Sequence, residues 1–198
     1  MTTPAEHTHT DMVRRLGFES VYRLPQFDFA GASSSQQPAL DADSAMQSLT
    51  PDQRDRVHNV ATRRLAFQLL YQLDASGVQG NPGPVVIEEL GHVADLGPVA
   101  SDKVSALVLG AWAGRAQADA AFTALAPQWP SHRQAGVDRA ILRLAHHEIT
   151  RGLTPHRIAI NEAVELARAF STDKSPAFIN ALLDEIAAKA AASGGGAS

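Results

Sequence analysis

The sequence predicts an all-α protein, a bundle of about six or seven helices joined by short loops. Three observations support this prediction. From Thr50 onward, apolar residues recur every three or four positions, which is the spacing of one helix face. A threonine or serine followed by proline, a common helix start, occurs at Thr50-Pro51, Thr154-Pro155 and Ser175-Pro176. The run Val85-Val86-Ile87 is too short and too isolated to indicate a strand.

The first predicted helix begins at Thr50 and ends near Asp74. Thr50 is an N-cap, Pro51 takes the first helical position, and Gln53 is placed to complete a capping box. Gly77 lies just beyond the helix end. The apolar stripe of this helix consists of Val57, Ala61, Leu65, Ala66, Leu69, Leu70 and Leu73.

The middle of the chain is predicted to hold one short and one long helix. A turn cluster over 80–84 precedes the short helix, residues 85–93. Ser101 is a candidate N-cap for the long helix, and Pro127-Gln128-Trp129-Pro130 ends it. The stripe of the long helix consists of Val104, Leu107, Val108, Ala111, Ala118, Phe122 and Leu125.

Three further helices are predicted in the last third of the chain. Gly152 is an end signal after the first, and Thr154-Pro155 and Ser175-Pro176 open the other two. Residues Ala188 to Ser198 are rich in Ala, Ser and Gly, and they are expected to fray. The three stripes consist of Val137, Ile141, Leu144, Ala145 and Ile149, then Ala159, Ala163, Leu166, Ala167 and Phe170, then Ile179, Leu182, Leu183 and Ile186.

The chain is therefore expected to divide into a disordered acidic extension (1–49), a helical domain (50–190) and a disordered tail (191–198). The extension shows no sustained period and offers too little apolar surface to offset the entropy of ordering. Two alternatives stay open: an aromatic patch over 18–29 is a docking motif, or translation starts at Met46.

Composition limits the class of protein. The 198 residues include no cysteine, which excludes disulfides, thiolate metal sites and a cysteine nucleophile. No apolar run approaches the roughly 18–20 residues needed to cross a bilayer, and the first residues are polar, so a cytoplasmic protein without membrane contact is expected. No phosphate-binding glycine loop or G-x-S-x-G motif occurs. The sequence therefore predicts a protein that is not an enzyme and needs no cofactor.

A metal site is not predicted either. His146-His147-Glu148 resembles a ligand cluster, but consecutive helix residues point about 100° apart and cannot converge on one ion. A helical site needs ligands three or four residues apart. These side chains are expected to be ordinary polar groups of a helix.

The net charge of −4 is unevenly distributed. Residues 1–55 hold four bases and eight acids, whereas residues 56–198 hold thirteen of each. An acidic sum ordinarily argues against RNA, because phosphate binding needs a basic surface. Since the whole net charge lies in residues 1–55, the remainder of the chain is neutral in sum and can still bind RNA. The acidic extension is then expected to compete with RNA for the basic helix end.

The first helix carries a candidate RNA-binding surface. Arg64, Gln68 and Tyr71 lie at i, i+4 and i+7, on one face. Guanidinium, amide and aromatic groups together suit single-stranded RNA. The alternative is an ordinary solvated face beside a tyrosine that packs in the core. The cations near the helix start are Arg54, Arg56, Arg63 and Arg64, with His58 between them.

The last helix carries a second candidate. Phe178 lies about 100° from Ile179, at the edge of the apolar stripe and beside the loop 171–174. Near Lys174, this ring is a candidate stacking platform for a base. The alternative is that Phe178 closes the core over the loop.

Three stretches together resemble the NusB family of transcription antitermination factors. Residues 63–74 match the family's opening R-x-x-A-x-Q-x-L-Y helix. The second stretch runs from Trp129-Pro-Ser-His-Arg133 through residues 137–145 to Glu148. The third is Ile160-Asn-Glu-Ala-Val-Glu-Leu-Ala167, followed by Phe170 and by Phe178-Ile-Asn-Ala-Leu-Leu-Asp184. The order and spacing of these blocks, over about residues 56–190, make the resemblance specific.

The resemblance implies a compact fold of two packed helical subdomains. It also implies binding of boxA-type RNA from ribosomal RNA leader transcripts, a heterodimer with the ribosomal protein NusE, and assembly into an antitermination complex on RNA polymerase. A homodimer is compatible with the family fold. Family RNA contacts map to Arg63, Tyr71 and Phe178. The expected RNA-binding set is Arg56, Arg63, Arg64, Gln68, Tyr71, Lys174 and Phe178.

One departure concerns the arginine cluster. Many family members have several consecutive arginines before the position of Arg63, where this chain has Asn, Val, Ala and Thr at 59–62. Fewer cations release fewer counterions, so weaker salt dependence and a larger contribution from NusE are expected. Inside the domain, Glu162 is expected to pair with Arg139 or Arg143, and Asn180 to make an interhelical hydrogen bond.

Two other functions stay open. The thinned arginine cluster and acidic extension are compatible with a helical adaptor that does not bind RNA. NusB-like domains also occur in some ribosomal RNA cytosine methyltransferases, so the chain could be a detached domain of that kind. Such an enzyme needs a further domain and a catalytic cysteine, and this chain has no cysteine.

Overall fold

The computed structural model describes residues 50–82 and 98–194, and these residues contain helices and no strand. The predicted all-α bundle of six or seven helices is therefore confirmed. The six helices are α1 Pro51–Ala75, α2 Pro98–Ala113, α3 Arg115–Leu125, α4 Gly136–Thr150, α5 His156–Phe170 and α6 Ser175–Gly194, with a 3-10 turn at Ser131–Arg133 before α4. None of them combines the length and apolar character needed to cross a lipid bilayer. The predicted extension 1–49, the short helix 85–93 and residues 195–198 lie outside the described residues.

Helix α4 is the centre of the bundle. It packs against α1, α2 and α3 and also against α5 and α6, while α5 and α6 pack against each other. The two helical groups therefore share α4. Each fully buried large apolar side chain contributes about 1.5–3 kcal/mol, so the predicted stripes drive this packing. The largest buried side chains include Trp112, Phe122, Leu65, Leu70, Ile141, Leu144, Ile179 and Leu183.

Helix α1 begins as the sequence predicts. The Gln53 backbone N–H donates to Thr50 Oγ1 at 3.4 Å, and the Thr50 N–H donates to Gln53 Oε1 at 2.8 Å. This capping box satisfies two N–H groups that would otherwise lack a helical partner. Gly77 follows the helix end with a φ of 64°, a conformation that glycine adopts without strain.

The long helix predicted after Ser101 is two helices, α2 and α3, and α2 begins earlier, at Pro98. The break falls at Gly114, where φ is −85° and ψ is 0°. Glycine is a weak helix former, and Arg115 donates from Nη1 to the Trp112 carbonyl at 2.8 Å, which satisfies a carbonyl at the end of α2. A continuous apolar stripe therefore crosses two helices.

The last helix extends further than predicted. Helix α6 reaches Gly194, whereas fraying was expected from Ala188. Alanine is the strongest helix former, and the buried residues Ile186 and Ala187 hold the preceding turn against the core. The alanine-rich sequence therefore continues the helix.

Candidate nucleic-acid interface

The predicted row Arg64–Gln68–Tyr71 lies along α1 and spans about 10 Å. Tyr71 is 38% exposed, in a helix whose other large apolar side chains are buried. Its ring rests on the start of α4, since a Cβ at Gly136 would lie 3.2 Å from Tyr71 Cε2. The ring is thus held in place by backbone while part of its surface faces solvent. This arrangement fits a stacking surface better than a core tyrosine.

Arg64 is half-buried at the other end of the row. Its Cζ atom lies 5.4 Å from the centre of the Phe170 ring, and that ring lies 5.3 Å from the Phe67 ring. Arg64 therefore connects α1 to the end of α5 through a cation–π contact. Arg56 is exposed about 12 Å further toward the N-terminus of α1. Arg56 near the start of α1 and Arg64 in the Arg64–Gln68–Tyr71 row are therefore two of the cationic side chains along this helix.

Arg63 points into the domain. Its Nε donates to Glu148 Oε1 at 2.9 Å, and its Nη2 donates to Thr154 Oγ1 at 2.9 Å. The Arg63 side chain is only 11% exposed. Thr154 also donates to Glu148, at 2.7 Å, so its hydroxyl does not cap α5 as the sequence predicted. Arg63 thereby joins α1 to α4 and to the turn that follows α4, whereas the resemblance placed it in contact with RNA.

Two surface concavities meet at Arg168. One lies between α1 and α5 and is lined by Val60, Arg63, Arg64, Glu162, Glu165, Leu166, Arg168 and Ala169. The other lies where α5 meets α6 and is lined by Val164, Arg168, Ser171, Thr172, Asp173, Pro176, Ala177 and Asn180. The Arg168 side chain is 65% exposed and pairs with Glu165 at 3.3 Å. Sequence reasoning missed this cation, although it lies only two residues before Phe170.

The loop between α5 and α6 is fastened to α4. Ser171 and Ser175 donate from their hydroxyl groups to the buried Asp138 carboxylate, at 2.6 and 2.8 Å. Lys174, exposed within this loop, is therefore presented from a fixed backbone. Phe178 follows one turn later and is half-buried, with part of its ring packed against the core. Both predicted roles of Phe178 are thus compatible with its position.

The interior charges form a different network from the one predicted. Arg139 and Arg143 both pair with Asp74, with the Arg143 Nη1 to Asp74 Oδ1 distance at 2.8 Å, and Arg143 also pairs with Asp119 at 2.7 Å. The prediction that Glu162 pairs with one of these arginines is therefore wrong. Burial raises the pKa of Asp74, but hydrogen bonds from the two arginines, together with their charges, outweigh burial and hold that pKa below its usual value.

The predicted interhelical hydrogen bond of Asn180 is also wrong. Asn180 is exposed and donates to Asp184, one turn later in α6, at 2.7 Å. Side chains four residues apart on a helix are neighbours, so this bond forms within the helix.

The three residues of His146-His147-Glu148 turn in different directions. His146 is buried edge-on to the Phe122 ring, His147 packs on Gly110, and Glu148 binds Arg63. Burial is the first cause that lowers the pKa of both histidines. In residues 50–82 and 98–194, no three His, Asp or Glu side chains form a group that could hold a metal ion.

The fold and this surface define a class of protein: an all-helical factor whose candidate site is a partly exposed row of an arginine, a glutamine and a tyrosine on α1. Residues 60–188 match the model of the NusB family, which is more than half of the chain, so the chain belongs to the NusB family.

Named relatives agree with this assignment. The transcription antitermination protein NusB of Geobacter sulfurreducens is 40% identical over 127 residues, covering 63% of this chain and 90% of the relative. That of Symbiobacterium thermophilum is 39% identical over 132 residues, covering 63% of this chain and 85% of the relative.

Solved structures show the same fold. NusB of T. maritima aligns with a TM-score of 0.58 at 25% identity, covering 66% of this chain and 90% of that one. NusB from Aquifex aeolicus aligns with a TM-score of 0.54 at 26% identity, covering 71% and 94%. A third structure contains the antitermination factors NusB and NusE in complex with double-stranded RNA. It aligns with a TM-score of 0.57 at 22% identity, covering 67% and 97%, and shows likeness in fold.

Proposed function

We propose that this chain is a non-catalytic, cytoplasmic antitermination factor that binds boxA-type RNA together with NusE and joins a complex on RNA polymerase. Family membership supports this proposal, as do the named relatives and the solved complex of a similarly folded NusB with NusE and RNA. The observation that carries it is the exposed Tyr71 ring at the end of the Arg64–Gln68–Tyr71 row on α1.

The proposed RNA contacts are side chains that reach the surface. Arg56 and Lys174 are exposed cations for phosphates, and Tyr71 and the outer part of Phe178 are rings for bases. Arg64 and Gln68 lie between these groups and complete the row. Arg63 supports the row from inside by its ion pair with Glu148. Few cations lie on this surface, so we expect NusE to contribute a large share of the affinity.

A binding experiment tests this proposal. We would measure the Kd for a boxA-type RNA and for a scrambled RNA of equal length, with and without NusE, over a series of salt concentrations. The expected result is a preference for the boxA-type RNA that is clearest with NusE present. If no preference appears under either condition, the antitermination proposal fails and a helical adaptor without RNA binding is favoured.

Tyr71→Ala and Tyr71→Phe test the observation directly. Loss of a stacked ring costs about 1–3 kcal/mol per base, which corresponds to about 5- to 150-fold in Kd. We expect Tyr71→Ala to weaken binding by that factor and Tyr71→Phe to retain most of it. Equal affinity of Tyr71→Ala and the parent protein would remove Tyr71 from the site.

A further inference from the structure

We propose that Trp129 and Arg133 form a second nucleotide-binding platform, on which the indole stacks against a base of single-stranded RNA while the guanidinium pairs with a phosphate. This inference rests on the proposed RNA binding and extends that site beyond α1.

The exposure of Trp129 is the first observation. Its side chain is 46% exposed, whereas the other tryptophan, Trp112, is 2% exposed and donates from Nε1 to the Gly80 carbonyl at 2.7 Å. Indole rings usually bury most of their large apolar surface. The fold has therefore placed one tryptophan in the core and left the other as a surface ring.

The backbone beneath Trp129 is fixed. The Trp129 N–H donates to the Ala126 carbonyl at 2.9 Å, and the buried Gln134 donates from Nε2 to the Trp129 carbonyl at 3.1 Å. Pro127 and Pro130 restrict the neighbouring dihedral angles. A ring held in this way loses little conformational entropy when a base stacks on it.

Arg133 supplies the cation. Its Cζ lies 5.2 Å from the centre of the Trp129 ring, and its Nη1 reaches the Gln128 carbonyl at 3.5 Å. A guanidinium has five N–H donors, and this hydrogen bond uses one of them. Because the ring has two faces, a base can stack on the face away from the guanidinium while an adjacent phosphate accepts from Arg133.

The platform is continuous with the row on α1. Tyr71 rests on Gly136, which lies two residues after Gln134, and Gln134 holds the Trp129 carbonyl. Trp129 and Gly136 are seven residues apart, so their Cα atoms lie within about 25 Å of each other at the two ends of one loop. A single strand stacked on Tyr71 is expected to continue along this loop toward Trp129. This continuity, together with the stacked cation, favours RNA over a protein as the occupant.

The first experiment uses tryptophan fluorescence of the full chain bound to NusE. A single-stranded boxA-type RNA is titrated into the parent complex and into the Trp129→Phe complex, in which Trp112 is this chain's remaining tryptophan. Stacking predicts that RNA quenches the emission of the parent and leaves that of Trp129→Phe nearly unchanged. Equal responses of the two proteins would overturn the proposal.

The second experiment measures affinity. Trp129→Ala is expected to raise the Kd by about 5- to 150-fold, as for loss of one stacked base, while Trp129→Phe keeps most of the affinity. Arg133→Ala is expected to reduce the slope of log Kd against the logarithm of salt concentration by about one, as for the loss of one phosphate contact. Leu153→Ala is the matched control, because Leu153 is 56% exposed and its loss should leave the Kd unchanged. Melting curves of each variant would test whether the fold is retained.

The outcomes separate the two proposals. If Tyr71→Ala weakens RNA binding and Trp129→Ala does not, the platform is refuted and the proposed function stands. If the parent protein with NusE binds no RNA, the proposed function fails and the platform fails with it. If Trp129→Ala keeps its RNA affinity but loses NusE, the surface binds protein, which also overturns the platform.

Discussion

Replacing Glu148 by glutamine tests whether Arg63 is an internal support. Glu148 is 3% exposed and accepts Arg63 Nε at 2.9 and 3.2 Å and the Thr154 hydroxyl at 2.7 Å. Glutamine keeps the shape of the side chain but removes its charge. The Arg63 guanidinium would then remain largely buried beside a neutral amide.

The expected cost follows from these contacts. A hydrogen bond to a charged group contributes about 1.5–3 kcal/mol, and breaking a buried ion pair costs about 3–5 kcal/mol. Because the Arg63 side chain is 11% exposed and keeps its hydrogen bond to Thr154, the cost of Glu148→Gln lies at the lower end of these energies. We expect a loss of about 2–4 kcal/mol in the free energy of unfolding. For a chain of this size, the melting temperature would fall by about 5–12 °C.

Urea denaturation at neutral pH measures this loss of stability. If the m-value is unchanged, the denatured state is unaltered and the shift in midpoint reports stability alone. The matched control is Glu165→Gln, because the Glu165–Arg168 pair is 30% and 65% exposed and should contribute less than about 1 kcal/mol. The double variant Arg63→Met with Glu148→Met should cost less than the sum of the two single changes. A Glu148→Gln protein as stable as Glu165→Gln would refute the internal role of Arg63.

Three further predictions follow from the interior. Gly110→Ala should destabilise the protein by about 1–3 kcal/mol, because a methyl group there overlaps the His147 ring. Gly114→Ala is the control, since the atom nearest to its added Cβ is the Gly110 carbonyl oxygen at 3.5 Å. In the same urea assay, Gly114→Ala should be neutral or stabilising. The pKa of His146 is lowered in the folded protein, so the unfolded chain binds more protons near neutral pH. The contribution of His146 to the free energy of unfolding should therefore be complete above about pH 6.5 and decrease as the pH falls below that value. His146→Leu should reduce this dependence on pH, and an unchanged dependence would contradict the prediction. The lowered pKa of Asp74 has the opposite origin, because here the charged form is stabilised. The contribution of Asp74 to the free energy of unfolding should be present above about pH 4 and be lost as the pH falls below that value. Asp74→Asn should abolish this loss in acid-denaturation curves.

Sequence periodicity predicted the helices well because each one buries a single stripe. The capping box at Thr50 and Gln53 is local, and it formed as predicted. The break at Gly114 was missed because the stripe continues across it. Thr154 was misassigned for a related reason, since its hydroxyl had two possible partners, and only the packed structure brought Glu148 within reach.

The candidate site was predictable only in part. The i, i+4, i+7 spacing placed Arg64, Gln68 and Tyr71 on one face, and α1 shows them as a row. Spacing says nothing about which neighbouring helix covers a face. The partners of Arg63, the exposure of Arg168 and the stacking of Arg133 on Trp129 all depend on contacts outside the local sequence.

The sequence by itself determined the helical class, the positions of most helices and membership of the NusB family, because apolar period, caps and motif order are properties of the chain. The tertiary structure alone decided which groups each arginine contacts. Arg63 and Arg64 are adjacent in sequence, yet about 100° of helix rotation places one against Glu148 and the other over Phe170. A charged side chain is buried or exposed according to what packs against it, and that is fixed when α4 and α5 close over α1.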